Sequence, residues 1–394
     1  MFTVKRIFLT LMAFAFLAAC NKQEQVTPPS TDVETNLTKG ESLIQGQYII
    51  TYNTDNARIA FRSENYDQRA QTVLNYTHNL VQQYGINPQN VTRTYNTALQ
   101  GFTAKLSSKQ LEALKKDPNI AHIEQDRILT LDYEVSKIGT FAREYTTYGV
   151  ARVGSASGAG RTAWVLDTGI DLDHADLNVN TSRSRSFVGG SANDVNGHGT
   201  HVAGTIAAKR SNNAGLYGVA YDATVVAVKV LNNSGSGSIS GIVSGVDYVA
   251  SAARRGDVAN MSLGGGASSS LDNAVRRLGD RGILVSLAAG NSRTNAGNTS
   301  PARVNHPNVV TVSAMDSNDR FASFSNYGSV VDYCSPGVNI WSTWPGNRFN
   351  QISGTSMAAP HVAGLLLLRG STSLRTNGTV RNDPDGRPDP IAVR

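Results

Sequence analysis

The sequence predicts an α/β protein: a doubly wound parallel sheet with helices on both faces, preceded by a small α+β domain. Three observations predict it. From Ile138 onward, short β-rich runs alternate with helical segments, the pattern of a parallel sheet covered on both sides. Between Gln47 and Ile128 a shorter strand–helix–strand–helix–strand order reads as an antiparallel sheet with helices on one face. The composition also shifts: through Lys137 there are 8 Lys and 6 Arg, and from Ile138 only 2 Lys but 20 Arg.

The chain of 394 residues is long enough for two or three globular units, and a hydrophobic content of 40% excludes wholesale disorder. At the N-terminus Lys5 and Arg6 precede an apolar run from Ile7 to Ala19. Those 13 residues are too few to span a bilayer as a helix and read as an export signal. The run ends Leu17-Ala18-Ala19-Cys20, which resembles the bacterial lipobox. That resemblance implies a signal over residues 1–20, lipidation of the Cys20 thiol, and membrane contact only through that lipid. Asn21 to Glu41 is polar, contains Pro28-Pro29 and reads as a flexible tether, with the linker taken over residues 21–45.

Residues 46–132 read as the small domain. Gln47 to Thr51 is β-branched and aromatic, as strands are. Val73, Leu74, Leu80, Val81 and Tyr84 recur at helical spacing, and Gly85 ends that helix. After the apolar-rich stretch within Thr92–Leu106, Ser107 and Gln110 form a capping box for a helix that Pro118 closes. Ile120 to Ile128 alternates like a strand. No catalytic constellation is visible here.

In residues 133–394 the candidate strands are Ala163–Leu166, Thr224–Leu231, Asp257–Ser262, Ile283–Ala288 and Val309–Ala314, and the candidate helices Ser240–Arg254, Ser270–Arg281 and Thr355–Arg369. In such a sheet ligands bind at the carboxyl ends of the strands, and four chemistry-bearing segments fall there. Asp167 ends a strand, where a carboxylate orients a histidine, binds a metal or caps a turn. His198 stands between Gly197 and Gly199 at a helix start, and His201 follows at i+3 without the acidic partner of a metal site. Ser356 lies at a helix N-terminus, a place that favours negative charge; serine there also serves as an N-cap, a role Thr355 could fill instead. Asn291 follows a buried strand, where its amide either stabilises a turn or donates to an oxyanion.

Together these segments resemble the subtilisin-like serine proteases, which keep the order Asp, His, Ser. The resemblance runs from about Tyr148 to Arg369 and is nearest to the proteinase K branch through FSNYGSVVDYCSPGVNIWSTW and SGTSMAAPHVAG. The stretches GFTAKLSSKQLEAL and IAHIEQDRI resemble the inhibitory propeptide of the same proteases, implying a ferredoxin-like inhibitor domain before a subtilisin-like peptidase domain. The resemblance implies a triad of Asp167, His198 and Ser356, with Asn291 as oxyanion donor. It implies peptide-binding segments at Ser234, Gly235 and Ser236 and at Ser262, Leu263 and Gly264, the latter lining a specificity pocket with Ala288 and Gly290. Small side chains and no acid there imply a preference for apolar or aromatic residues before the scissile bond. Pro307, Val309 and Asp332 match a calcium site, two by carbonyl and one by carboxylate; no cofactor is implied for the chemistry itself. The expected form is an exported, monomeric, self-inhibited precursor whose partners are protein and peptide substrates and its own propeptide.

The two cysteines, Cys20 and Cys334, exclude a disulfide framework, and Cys334 is expected as a buried thiol. The net charge of +6 is too mild for nucleic acid, and no Lys/Arg block supports it. It divides into +1 through Lys137 and +5 beyond.

Overall fold

In the small sheet, four antiparallel strands lie in the order β4-β1-β3-β2: β1 (Ser42–Tyr52), β2 (Val91–Tyr95), β3 (Gly101–Lys105) and β4 (Ile120–Thr130). This is read from a computed structural model that describes residues 40–57, 66–131, 133–141, 143–210 and 215–394. The export signal, Cys20 and the tether up to residue 39 lie outside the described residues. Helices α1 (Tyr66–Gln83) and α2 (Ser108–Leu114) cover one face of the sheet. Val73, Leu80, Val81, Leu111 and Leu114 pack there against Ile50, Tyr52, Phe102, Ala104 and Ile123. The Ser107–Gln110 capping box is formed as the sequence predicts.

Two features differ from the expectation. The stretch around Thr92–Leu106 is a pair of strands rather than one, giving the order βαββαβ. Gln100 turns the chain with φ 60°, and Gly101 lies so close to β1 that a Cβ would sit 2.1 Å from the Ile50 carbonyl oxygen. In addition, β1 begins at Ser42, inside the segment read as tether, because Ser42 and Leu43 pair with Ile128 and Arg127.

The large sheet is built on β6 (Thr162–Asp167), β7 (Thr224–Lys229), β9 (Val258–Met261), β10 (Leu284–Ala288), β11 (Val309–Met315) and β12 (Tyr333–Pro336). All are parallel, in the order β12-β11-β10-β9-β6-β7. Two further strands belong elsewhere: β5 (Glu134–Gly139) in a side sheet, and β8 (Ser236–Ser238), which pairs with β4 of the small sheet. The period-2 pleat sorts each central strand into two cores. Ala163 and Val165 share a core with Val202 and Ile206 of α3 (His198–Ala207) and Val362 and Leu366 of α6 (Thr355–Arg369). Trp164 and Leu166 share the other with Ile242 and Val246 of α4 (Ile239–Ala252) and Leu271 and Leu278 of α5 (Ser269–Asp280). From β6 the chain adds β7 on one side and β9 on the other, so the strand order reverses at β6. A crevice opens at its carboxyl end, and Asp167 is the residue placed there.

The uncovered face of the small sheet lies on α4 and α5. Ile49, Tyr95, Leu99 and Leu129 belong to the same core as Ile242, Val246 and Leu271. Polar contacts fix the arrangement. The backbone N–H of Ser240, in the first turn of α4, donates to Asp126 at 3.0 Å, and that of Ser270, in the first turn of α5, donates to Glu124 at 3.0 Å. Each carboxylate meets the positive end of a helix.

Candidate active site

Asp167, His198, Asn291 and Ser356 all stand at the carboxyl-end rim of the large sheet. Both oxygens of Asp167 face His198 Nδ1, at 2.8 and 3.0 Å, and Oδ1 also accepts the Thr168 N–H at 2.7 Å. Asp167 and His198 are fully buried. His198 Nε2, the nitrogen turned away from Asp167, is buried and has no hydrogen-bond partner among the described residues. The flanking glycines do more than leave the imidazole uncrowded. A Cβ on Gly199 would meet the Gly169 carbonyl at 2.1 Å, and one on Gly197 the Trp344 ring at 2.3 Å. Close backbone approach therefore sets the position of His198 over Asp167.

Asp194 organises the same corner and carries no signal in the sequence. It accepts the N–H groups of Asn196 and Gly197 at 3.0 Å and of Thr200 at 2.9 Å, and the Thr168 hydroxyl at 3.0 Å. Burial pushes its carboxyl above the ordinary range, opposed by these donors. His201 makes no metal pair: its Nε2 lies 2.9 Å from the Ile340 carbonyl, and burial lowers it to about 3.

Ser356 is the second residue of α6. Its Oγ donates to the Ser262 carbonyl at 3.2 Å, while the Ser262 hydroxyl donates to the Ser356 carbonyl at 2.8 Å. Thr355 does not cap the helix; Gly354 holds that position. Thr355 instead donates its N–H and its hydroxyl to Asn291 Oδ1, at 2.9 and 2.8 Å, and accepts the Gly290 N–H at 3.0 Å. Anchoring the oxygen of Asn291 fixes the direction of its NH₂. A pocket beside Ser356 is lined by Ser262, Leu263, Gly264, Ala288, Gly290 and Asn291, and also by Thr130 and Leu131 from the end of the small domain.

Residues 158–373 match the Subtilase family, and residues 47–132 match Peptidase inhibitor I9. Over 326 residues the chain is 43% identical to the subtilisin-like serine protease AsES of Sarocladium strictum, covering 76% of this chain and 81% of that one. The chain belongs to the subtilase family. It is a serine-type endopeptidase with an I9 inhibitor domain. Another similar subtilase is the alkaline serine protease ver112 of Corniculantispora psalliotae, 45% identical over 289 residues, 70% of this chain and 72% of that one. Among solved structures, a cold adapted subtilisin-like serine proteinase is 41% identical with a TM-score of 0.56, covering 62% of this chain and 97% of that one. The fold is subtilisin-like.

Within this subtilase the I9 domain runs into the cleft. β4 lies antiparallel to β8, with Thr130 opposite Ser236, Leu129 opposite Gly237 and Ile128 opposite Ser238, and the Leu131 N–H donates to the Gly235 carbonyl at 3.0 Å. Beyond residue 132, which lies outside the described residues, the Tyr133 ring sits 4.9 Å from the His198 ring and its hydroxyl donates to Asn196 at 2.9 Å. Burial and the nearby Asp167 and Asp194 push the Tyr133 hydroxyl up to about 12. Of the binding residues read from the sequence, Gly235 and Ser236 meet this strand, and five line the pocket. Ser234 is exposed on a turn, bonded to Asn232, and is not among the pocket-lining residues.

Pro307, Val309 and Asp332 fall on adjoining chain segments. Asp332 Oδ2 accepts the Thr311 N–H at 2.8 Å, and its N–H returns to the Thr311 carbonyl at 2.9 Å. Pro307 offers its carbonyl, already accepting the Thr372 hydroxyl at 2.8 Å. Cys334 is fully buried among Met315, Val380 and Ile391, and burial drives its thiol well above the ordinary range. No described helix is long and apolar enough to cross a membrane.

Proposed function

We propose that this subtilase is made as a self-inhibited precursor that cuts itself between the I9 domain and the peptidase domain, and that Asp167, His198 and Ser356 perform the cut. The observation that carries the reading is the path of the chain: Leu131 is hydrogen-bonded to the edge of the cleft, Tyr133 lies on His198, and Ser356 lines the pocket between them. The bond to be cut is then one of the two flanking residue 132. The same reading takes the inhibitor domain over 46–132 and the peptidase domain over 133–394.

The chemistry follows from the geometry. Ser356 Oγ turns from the Ser262 carbonyl toward His198 Nε2, which receives its proton as Oγ bonds to the peptide carbonyl carbon. Asp167, accepting from Nδ1, holds the tautomer that leaves Nε2 free and stabilises the imidazolium. The Asn291 NH₂ and the Ser356 N–H stabilise the oxyanion. His198 then gives its proton to the leaving nitrogen as the C–N bond breaks. A water repeats the sequence on the acyl-enzyme and regenerates the Ser356 hydroxyl. The pocket of Ser262, Leu263, Gly264, Ala288 and Gly290 presents small uncharged walls and suits an apolar or aromatic side chain before the scissile bond. Substrate main chain takes the place of Ile128–Leu131 along Gly235–Ser238.

The export signal and lipobox support a lipid-anchored precursor, tethered through Cys20, with the protease acting as a monomer outside the cytoplasm. Calcium suits the donor set of Pro307, Val309 and Asp332: all are oxygens, and Asp332 Oδ1 takes no hydrogen bond from the described residues. The ion would brace the start of β11 against the turn before β12 and takes no part in the chemistry.

The test is Ser356→Ala in the full chain, followed by intact mass. The expected outcome is an uncut precursor, whereas the wild type yields fragments that join near residue 132. Self-cleavage of the Ser356→Ala chain in isolation would overturn the assignment.

A further inference from the structure

The chain upstream of Gln47 lies outside the I9 match, yet it makes buried contacts with the peptidase. The Glu41 and Arg127 side chains are only 1% and 0% exposed, and Glu41 Oε1 lies 3.1 Å from Arg127 Nε. The same oxygen accepts the Gly266 N–H at 2.9 Å. Arg127 donates through Nη2 to the carbonyls of Gly266 and Ala267, at 2.9 and 2.5 Å, and its Nη1 lies 3.6 Å from Glu124 Oε1. A Cβ on Gly265 would sit 2.3 Å from Glu41 Oε1, so glycine is what lets the carboxylate come this close. Gly265 and Gly266 continue directly from Ser262–Gly264, the edge along the pocket. Ser42 and Leu43, paired with Ile128 and Arg127, hold the arm in register.

Glu41 therefore joins three pieces of chain: the arm before the I9 match, the last strand of the inhibitor, and the rim of the substrate cleft. Arg127 is a buried cation, and without Glu41 it keeps Glu124, at 3.6 Å, and the Gly266 and Ala267 carbonyls as partners but loses its closer carboxylate. Taking Glu41 away also strips the Gly266 N–H of its acceptor in a place closed to water.

We infer that Glu41 is a retention latch: it sets how long the cleaved inhibitor domain stays on the peptidase, and the cut itself does not depend on it. The inference rests on the self-processing reading above. Loss of a buried charge-assisted hydrogen bond across an interface, here from the Gly266 N–H to Glu41, acts mainly on the dissociation rate. Release of activity should therefore speed up by about tenfold or more in Glu41→Ala, and by less in Glu41→Gln, which keeps an acceptor oxygen for Gly266.

The experiment uses the full chain as wild type, Glu41→Ala and Glu41→Gln, and follows two clocks in each sample. A denaturing gel times the appearance of cleaved chains, and hydrolysis of a short chromogenic peptide times the appearance of activity. The expected result is an unchanged cleavage clock with a shortened interval before activity, in the order Ala shorter than Gln shorter than wild type. An unchanged interval in both variants overturns the latch, as does cleavage that slows in parallel with release. A Glu41→Ala chain that does not fold shifts the decision to the near-isosteric Gln variant. If the wild type itself never cleaves, the self-processing reading has failed, and the latch falls with it.

Discussion

Replacing Asp167 by Asn changes one oxygen into an NH₂ at a place where the structure fixes which oxygen it must be. Asp167 Oδ1 accepts the Thr168 N–H at 2.7 Å as well as facing His198 Nδ1 at 2.8 Å, while Oδ2 lies 3.0 Å from Nδ1. The Thr168 N–H needs an acceptor, so the amide oxygen takes the Oδ1 place and the NH₂ takes the Oδ2 place. The amide oxygen still lies 2.8 Å from Nδ1, but the NH₂ at 3.0 Å now competes for it as a donor; where the NH₂ donates, the ring proton moves to Nε2 and the nitrogen that should receive the Ser356 proton already holds one. In serine proteases with the same carboxylate–histidine pair this exchange costs about 10⁴ in kcat, or about 5.5 kcal/mol on the barrier. The assay is the half-time of self-cleavage of the purified full chain, with thermal unfolding run beside it. The expected result is cleavage slowed by about 10⁴-fold with an unchanged Tm. A loss of less than about tenfold with the fold intact would show that Asp167 does not set the tautomer of His198, and the mechanism above would be wrong.

Two pH effects on stability follow, both best measured in the Ser356→Ala background so that self-digestion does not intrude. Burial lowers His201 to about 3 and His361 to about 4, against about 6.5 for an exposed histidine. Folded pKa values below the unfolded ones give stability that is present above pH 6.5 and lost as the pH falls toward 4; His361 alone contributes about 3 kcal/mol across that window. A Tm that stays flat from pH 6.5 to 4.5 refutes this. Asp389 has the opposite sign: buried, and accepting the Ser313 hydroxyl at 2.6 Å, it is raised to about 7, so its neutral form favours folding at low pH and the benefit fades as the pH rises through 7. Asp389→Asn should therefore raise the Tm at pH 8 and change it little at pH 4, by an amount on the order of 4 kcal/mol; a variant less stable at pH 8 contradicts the assignment.

The parts legible in the sequence are those whose signal is local. β6, β7 and β10 show as short, largely apolar runs because they are buried on both faces, and α2 shows because Ser107 and Gln110 close its capping box. Asp167, His198, Asn291 and Ser356 could be placed together at one end of the sheet because each stands in a short run that also fixes the backbone around it. What stayed hidden depends on distant partners. Asp194 looks like any loop acid until Gly197 and Thr200 turn their N–H groups onto it. The turn between β2 and β3 has no Asn-Gly signal, because Asp247 on α4 holds it by accepting the N–H groups of Asn96, Thr97 and Ala98. Ser42 to Gln45 reads as the end of the tether, yet it is strand: Ser42 and Leu43 pair with Ile128 and Arg127 beside the buried seat that Arg127 and Gly266 give Glu41.

The hidden residues share a physical pattern that bears on how inhibition and release coexist. The inhibitor meets the peptidase partly through apolar side chains, but its register rests on carboxylates seated on N–H groups: Glu124 and Asp126 at the starts of α5 and α4, Glu41 at Gly266, and Asp247 answering from the peptidase side. Such contacts are strong while water is excluded and cheap to replace once water enters, since a free carboxylate and a free helix N-terminus are both well hydrated. Of the four, Glu41 lies nearest the start of the described residues. On the latch inferred above, its contact with Gly266 is placed to govern when the inhibitor domain lets go.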